Sequence, residues 1–357
     1  GLGDVYKRQI SLSVTDSSGS GENGNTVTQS NTGGIVGGFE NSSYASVSQC
    51  AYSGTITTSG TGAFINLGGI VGIAGTISNC TTSGAINMAG GRMENVGGIA
   101  GRVYSSTTNC ISNMSITLNS NANKYGISNI QYVGGLVGNG VTITNCTTNG
   151  TITASASNSF DSYYAQINYV GGLVGTAYTI SSSSASGAIN IKSGKSAQYV
   201  GGIAGYLRNG VNKSYSTMNI SVTPEGQNIG GLAGYGYSTT INQCYSTGNV
   251  TAANSSYVGG FLGYGASKID QSYSTGNVTG ASYVGGFIGQ GTYGTINNSY
   301  TTGNVTGSGS NVGGFIGNAS SETIDTCYAS GIVNYTGSSS YFGGFTGSYS
   351  NSLQNCY

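Results

Sequence analysis

The chain has 357 residues with ten Lys and Arg, ten Asp and Glu and no His, so its formal net charge is zero and 6% of it is charged, against roughly 25% in an ordinary soluble domain. That balance leaves no basic cluster for nucleic acid or an anionic membrane, and no run approaches the roughly 18 apolar residues that span a bilayer. The 65 Gly do not recur at every third position, which excludes collagen. A Ser-, Gly- and Asn-rich composition also suits a disordered chain, but here the β-branched and aromatic residues return at fixed places.

The first nine residues, GLGDVYKRQ, carry Asp4 where later repeats have Cys or Ser. They read as adaptor-derived, non-native sequence and are set apart from fold reasoning. The remainder, 10–357, reads as one repeat domain. It starts in mid-repeat at Ile10, which takes the Ile/Val position of later copies, and ends in mid-repeat at Cys356 and Tyr357. The expectation is a fragment of a longer protein, truncated at both ends.

From Asn31 onward each unit opens with Gly-Gly, a large apolar residue, a smaller one and a third Gly. Copies start at Gly33, Gly68, Gly97, Gly134, Gly171, Gly201, Gly230, Gly259, Gly285, Gly313 and Gly343, at spacings of 26 to 37 residues. Such a period marks solenoids, propellers or arrays. The second half of each unit is built on Ile-x-x-Cys/Ser-Tyr-Ser/Thr-x-Gly-x-Ile/Val, and aligning it gives vertical rows. Val47, Ile77, Thr107, Ile143, Ile180, Val211, Ile241, Ile269, Ile296, Ile324 and Leu353 form one. Ile56, Ile86, Ile116, Ile152, Ile189, Ile220, Val250, Val278, Val305 and Val333 form the other. Rows this regular predict core positions.

Runs of four to eight residues rich in Val, Ile, Thr and Tyr, broken by Gly, Asn and Ser, predict strands. One unit is then one coil whose apolar face is covered only by its neighbours. The predicted fold is all-β: a parallel β-helix (β-solenoid), right-handed and three-sided, of about eleven coils, making a rod on the order of 50 Å long at the strand spacing.

All seven Cys, namely Cys50, Cys80, Cys110, Cys146, Cys244, Cys327 and Cys356, fall at one repeat position that Ser183, Ser214, Ser272 and Ser299 fill elsewhere. This predicts a buried, reduced Cys/Ser ladder, with bridges between neighbouring rungs as the alternative; a zinc site would need Cys at different places that converge. The Gly-Gly pair is expected to form a corner by adopting positive φ, which would turn both flanking apolar rows inward. The competing reading leaves one row outside as a packing surface. The longest insertions, Thr117 to Tyr132 and Thr153 to Tyr169, read as surface loops, either merely tolerated or carrying binding.

The units YVGGFLGYGASKIDQSYSTGNV and NVGGFIGNASSETIDTCYASGIV resemble the GLUG-motif repeats, named for a Gly-Leu-any-Gly core. The resemblance covers about Thr32 to Tyr357 and is closest from Tyr235 onward. Early copies depart from it, with Ala51, Thr81, Ile111 and Thr147 in place of Tyr, and Met114 and Met218 in place of a fixed Gly. The resemblance implies an extended β-rich segment of a bacterial surface or secreted protein, adhesin-like, and brings no catalytic residues with it.

Without His no Ser-His or Cys-His arrangement can exist. The carboxylates that could act as a pair, Asp270 and Asp325, sit at equivalent positions two coils apart with Asn297 between them and Lys268 nearby; a solvated turn explains them better. The tyrosines give the binding hypothesis. Tyr215, Tyr245, Tyr273, Tyr300 and Tyr328 follow the Cys/Ser row, with Tyr357 after them, and point outward if Cys points inward. Tyr132, Tyr169, Tyr199, Tyr257, Tyr283 and Tyr341 precede the Gly-Gly corner. An outward ladder offers flat rings for sugars or a partner sheet, or simply stabilises neighbouring rungs. Short Thr-Ile-Thr runs raise ice binding, which the varying coil length disfavours. The expected function is a non-enzymatic structural or adhesive module, extracellular or on the bacterial cell surface. Its expected partners are host or environmental glycans or surface proteins; no nucleic acid, membrane insertion or cofactor is expected. The alternative is a carbohydrate-cleaving or carbohydrate-binding β-helix.

Overall fold

A computed structural model describes residues 9–15, 32–37, 45–60, 62–121, 128–157, 165–338 and 341–357. Among them there is no helix, and the strands form two sheets of 25 and 13 strands. Each strand pairs in parallel with its counterpart one coil away: Ile116 lies opposite Ile86 and Ile152, and Val278 opposite Val250 and Val305. The chain is a parallel β-solenoid of about ten turns.

One coil shows the path. Leu262–Asp270 runs in the smaller sheet, and the chain turns at Gln271, with φ of +49°. It then crosses Tyr273–Ser274 and enters Val278–Gly285, both in the larger sheet. That larger sheet bends within itself at Tyr283, where φ is +54°. Hydrogen bonding therefore continues around this corner, and two sheets enclose the core.

Most left-handed residues recur in two columns, with Ser238, Tyr293 and Ser321 apart from them in the smaller sheet. One precedes the Cys/Ser row and includes Asn79, Asn109, Asn145, Gln243 and Asn298; the other precedes Val-Gly-Gly and includes Asn66, Asn95, Tyr132, Tyr169 and Asn311. Asn suits such corners because its short polar side chain tolerates positive φ. The side chains also link coil to coil, Asn145 Nδ2 donating to Asn109 Oδ1 at 2.7 Å and Asn109 Nδ2 to Asn79 Oδ1 at 3.3 Å. A further Asn column serves the Thr-Gly-Asn-Val turn: the backbone N–H groups of Asn249, Asn277 and Asn304 each donate to the Asn Oδ1 of the preceding coil at 2.9–3.0 Å.

Both predicted apolar rows are core. Ile77, Ile143, Ile241, Ile269, Ile296 and Ile324 on one side and Ile56 through Val305 on the other are buried, while Leu353 and Val333, in the last coil, are not. The Gly-Gly corner also turns both flanking rows inward: Val133, Val170, Val258, Leu136, Leu173, Phe261, Phe287 and Phe315 have no exposure. The phenyl rings of Phe261, Phe287, Phe315 and Phe345 stack at 4.5–4.9 Å down the axis.

The cause differs from the one expected. No Gly of these pairs has φ in the left-handed range, which belongs to the residue two before the pair. The glycines are required by backbone crowding instead. A Cβ on Gly135 would lie 2.1 Å from the Gly172 carbonyl oxygen one coil on, and a Cβ on Gly175 would lie 2.4 Å from that of Gly138. Contacts that short are repulsive, so any side chain would push the coils apart.

Two further expectations change. The arms of the long insertions are wall, not surface loop. Thr147–Ala156 pairs with Ile111–Ser120, Ala165–Gly171 pairs with Ser128–Gly134, and Leu118, Ile130, Ala154, Ala165 and Ile167 are buried. The coil is simply wider there; residues 122–127 and 158–164 lie outside the described ones. At the start, Gln9–Thr15 pairs with Ala51–Ser59 so that Leu12, not Ile10, lies opposite Ile56. Residues 1–8 of the adaptor-like segment lie outside the described residues.

Candidate functional site

The outward tyrosines are positioned by the Cys/Ser row beside them. After a left-handed corner the backbone N–H of the next residue cannot join the ladder, and the side chain one coil on accepts it: Cys146 N–H donates to Ser183 Oγ at 3.1 Å, Ser183 N–H to Ser214 Oγ at 3.1 Å and Cys80 N–H to Cys110 Sγ at 3.4 Å. The same groups donate to the carbonyl two residues back, Ser183 to Ser181 at 2.8 Å and Cys80 to Ser78 at 3.2 Å. Only a short side chain that both donates and accepts does this, and Cys and Ser interchange for that reason.

The seven cysteines are free thiols and five of them are buried. Burial drives the Cys244 and Cys327 thiols up to about 12. Among the described residues no three Cys, Asp or Glu side chains converge as a metal site.

With Cys or Ser inward, the next residue points out and the one after points in. Ser216, Ser246, Ser274 and Thr301 are buried, and Ser246 and Ser274 donate to the carbonyls of Gly260 and Gly286 at 2.6 Å, tying this face to the Gly-Gly corner. Tyr215, Tyr245, Tyr273, Tyr300, Tyr328 and Tyr357 stand outward between them as one column. Successive ring centroids are 4.7, 4.9, 4.9, 5.0 and 5.4 Å apart and the planes lie within 9° of parallel. The five tyrosines predicted as a ligand site are thus brought together, with their faces closed against one another and their edges and hydroxyls toward solvent.

The corner tyrosines form a second column, Tyr132, Tyr169 and Tyr199 stacking at 4.8 and 4.9 Å and Tyr257 on Tyr283 at 4.8 Å, with Asn228 interrupting it; Tyr341 stands exposed at the far end. Packed edge-on against it is a third column that sequence reasoning missed: Tyr206, Tyr235 and Tyr264, stacked at 4.9 and 5.3 Å. The signal was present, since each follows the third Gly of its repeat in three successive copies. Burial among these rings pushes the Tyr235 phenol up to about 12.

Asp270 and Asp325 do lie two coils apart with Asn297 between them. Each is engaged at a corner: Asn298 Nδ2 donates to Asp270 Oδ1, and Asn355 Nδ2 to Asp325 Oδ1, both at 2.8 Å. A sequence reading also passed over Glu322, whose side chain is buried in the smaller sheet's bulge near Gly291 and Gly294, with Oε2 unpartnered among the described residues.

These features define a parallel β-solenoid whose coils carry their polar and aromatic side chains as ladders. The family described as the GLUG motif matches residues 225–251 and 280–306, so two segments of this solenoid are similar to GLUG-motif repeats. No curated protein and no solved structure matches the chain.

Proposed function

We propose that this chain is a rod-forming stalk of a bacterial cell-surface or secreted protein, with no catalytic role, whose partners are glycans or surface proteins met at its sides. The observation that carries this reading is the continuity of the ladders. The same inward rows and outward columns run coil after coil, and the tyrosines between Tyr215 and Tyr328 spend their faces on one another. A sugar ring stacks on an aromatic face, and a closed column offers such faces only at its ends. The ladder therefore stiffens the rod, each ring pair contributing on the order of 0.5–1.5 kcal/mol. The carboxylates Asp270 and Asp325 serve their corners in the same way.

The test is the triple substitution of Tyr245, Tyr273 and Tyr300 by Ala, followed by chemical denaturation and a glycan array. A stalk ladder predicts a loss of several kcal/mol in unfolding free energy and an unchanged array profile. Unchanged stability together with lost glycan binding would make the column a lectin-like site and overturn this reading.

A further inference from the structure

The tyrosine columns have closed faces, but the smaller sheet carries tyrosines that do not. Tyr178 and Tyr237 are 47% and 57% exposed and stack on no other ring among the described residues. They share one column with Arg208. The inward residues just before them, Ala177, Leu207 and Gly236, pair across consecutive coils, and the register shifts directly after them, so that Tyr178, Arg208 and Tyr237 open the bulge of three successive coils.

Arg208 is exposed but held. Its Cζ lies 5.3 Å from the Tyr178 ring centre and 5.7 Å from that of Tyr206, and its Nη1 donates to the Tyr178 hydroxyl at 3.4 Å. Among the described residues no carboxylate pairs with it, the ion pair found there being Arg92 with Glu94. Two coils before Tyr178, Arg102 packs 4.8 Å from the centre of the exposed Tyr104 ring in the same manner. The strands Ala100–Thr108, Val137–Asn139, Thr142–Thr144, Val174–Ser181, Ala204–Asn212 and Ala233–Asn242 contain these two Arg and no Asp or Glu. In a chain this poor in charge, such a face is a local excess of positive charge beside open aromatic faces.

We propose that this face binds an acidic polysaccharide, a chain of sugar rings bearing carboxylates. Sugar C–H faces would rest on Tyr237 and on the face of Tyr178 that Arg208 does not cover. A ring carboxylate would accept two hydrogen bonds from Arg208, whose planar fork matches it. Cation–π contact with Tyr178 and Tyr206 orients that fork beforehand, so less freedom is lost on binding. The inference goes beyond the stalk role and does not depend on it.

The experiment measures binding of the whole chain to polygalacturonate and to neutral dextran by calorimetry, with the Arg208→Gln, Arg208→Lys and Tyr237→Ala variants. Both side chains are exposed, and a denaturation curve for each variant reports the fold independently. The expected result is binding to polygalacturonate that weakens with salt, none to dextran, a loss of tenfold or more in Arg208→Gln, a partial loss in Arg208→Lys, and about a tenfold loss in Tyr237→Ala. No binding of polygalacturonate, equal binding of dextran, or affinity unchanged in Arg208→Gln would overturn the proposal. Equally tight binding of polyglutamate would also overturn it, because charge alone would then account for the effect. The triple Tyr245, Tyr273 and Tyr300 variant, which should bind polygalacturonate normally, separates failure of this site from failure of the stalk reading.

Discussion

Glu322 is a carboxyl group inside the solenoid wall, 1% exposed, receiving a hydrogen bond from the Gly294 backbone and with one oxygen unpartnered among the described residues. A buried carboxylate pays heavily for desolvation, so burial raises this group from 4.5 to about 8. The folded state therefore holds a proton that the unfolded state releases. Stability is full below about pH 4.5 and falls as pH rises towards 8, by up to about 5 kcal/mol if this group acts alone. Glu322→Gln should abolish that slope and stabilise the chain at pH 8, as measured by urea unfolding at pH 5 and pH 8; a slope that survives in the variant would place the titration elsewhere. The corner tyrosines show the opposite balance at residue scale. Tyr169 and Tyr199 sit at φ of +58° and +59°, costly for a bulky residue, and ring stacking on the neighbouring coil offsets the strain. Asn fills the same corner at Asn66, Asn95, Asn228 and Asn311 without strain and without stacking.

At the scale of the element, the recurring unit is a corner, and the Cys/Ser row completes it. Ser183 accepts the buried N–H of Cys146 and donates to the Ser181 carbonyl. Ser183→Ala leaves that N–H unsatisfied and should cost about 1–3 kcal/mol. Ser183→Cys keeps a donor and an acceptor and should cost under about 1 kcal/mol. Denaturation midpoints of the two variants check this, and equal losses would show that packing alone sets the row. The row and the outward tyrosines next to it were legible in the sequence because strand geometry alternates sides every residue. The third tyrosine column was not read, because which columns meet edge to edge depends on how the strands either side of a corner converge. The glycine corner was legible as a corner, and its cause was not: the crowding on Gly135 and Gly175 comes from a carbonyl one coil away, about 37 residues distant in the chain.

For the whole molecule, every coil covers its neighbours and none covers itself, so stability is a sum of coil and interface contributions. Replacing Ile152, which is 1% exposed and paired with Ile116 and Ile189, by Asp places an unpaired charge in the core. Hydrogen exchange should then accelerate in the coils around it, roughly between Gly97 and Gly201, while the strands near Val278 and Val305 keep their protection. Loss of protection along the full length would mean that the rod folds as one cooperative body. The sequence by itself determined the period, the strand class, the two inward rows and the outward tyrosine column, because those follow from a local rule repeated in register: side chains alternate, and like stacks on like. Only the tertiary structure decided that hydrogen bonding gathers into two sheets, that the insertion arms are wall, that ladder rings close their faces and that Tyr178, Arg208 and Tyr237 stand open. Each of these is set by distances between residues of different coils, and a repeat pattern written along one chain does not contain those distances.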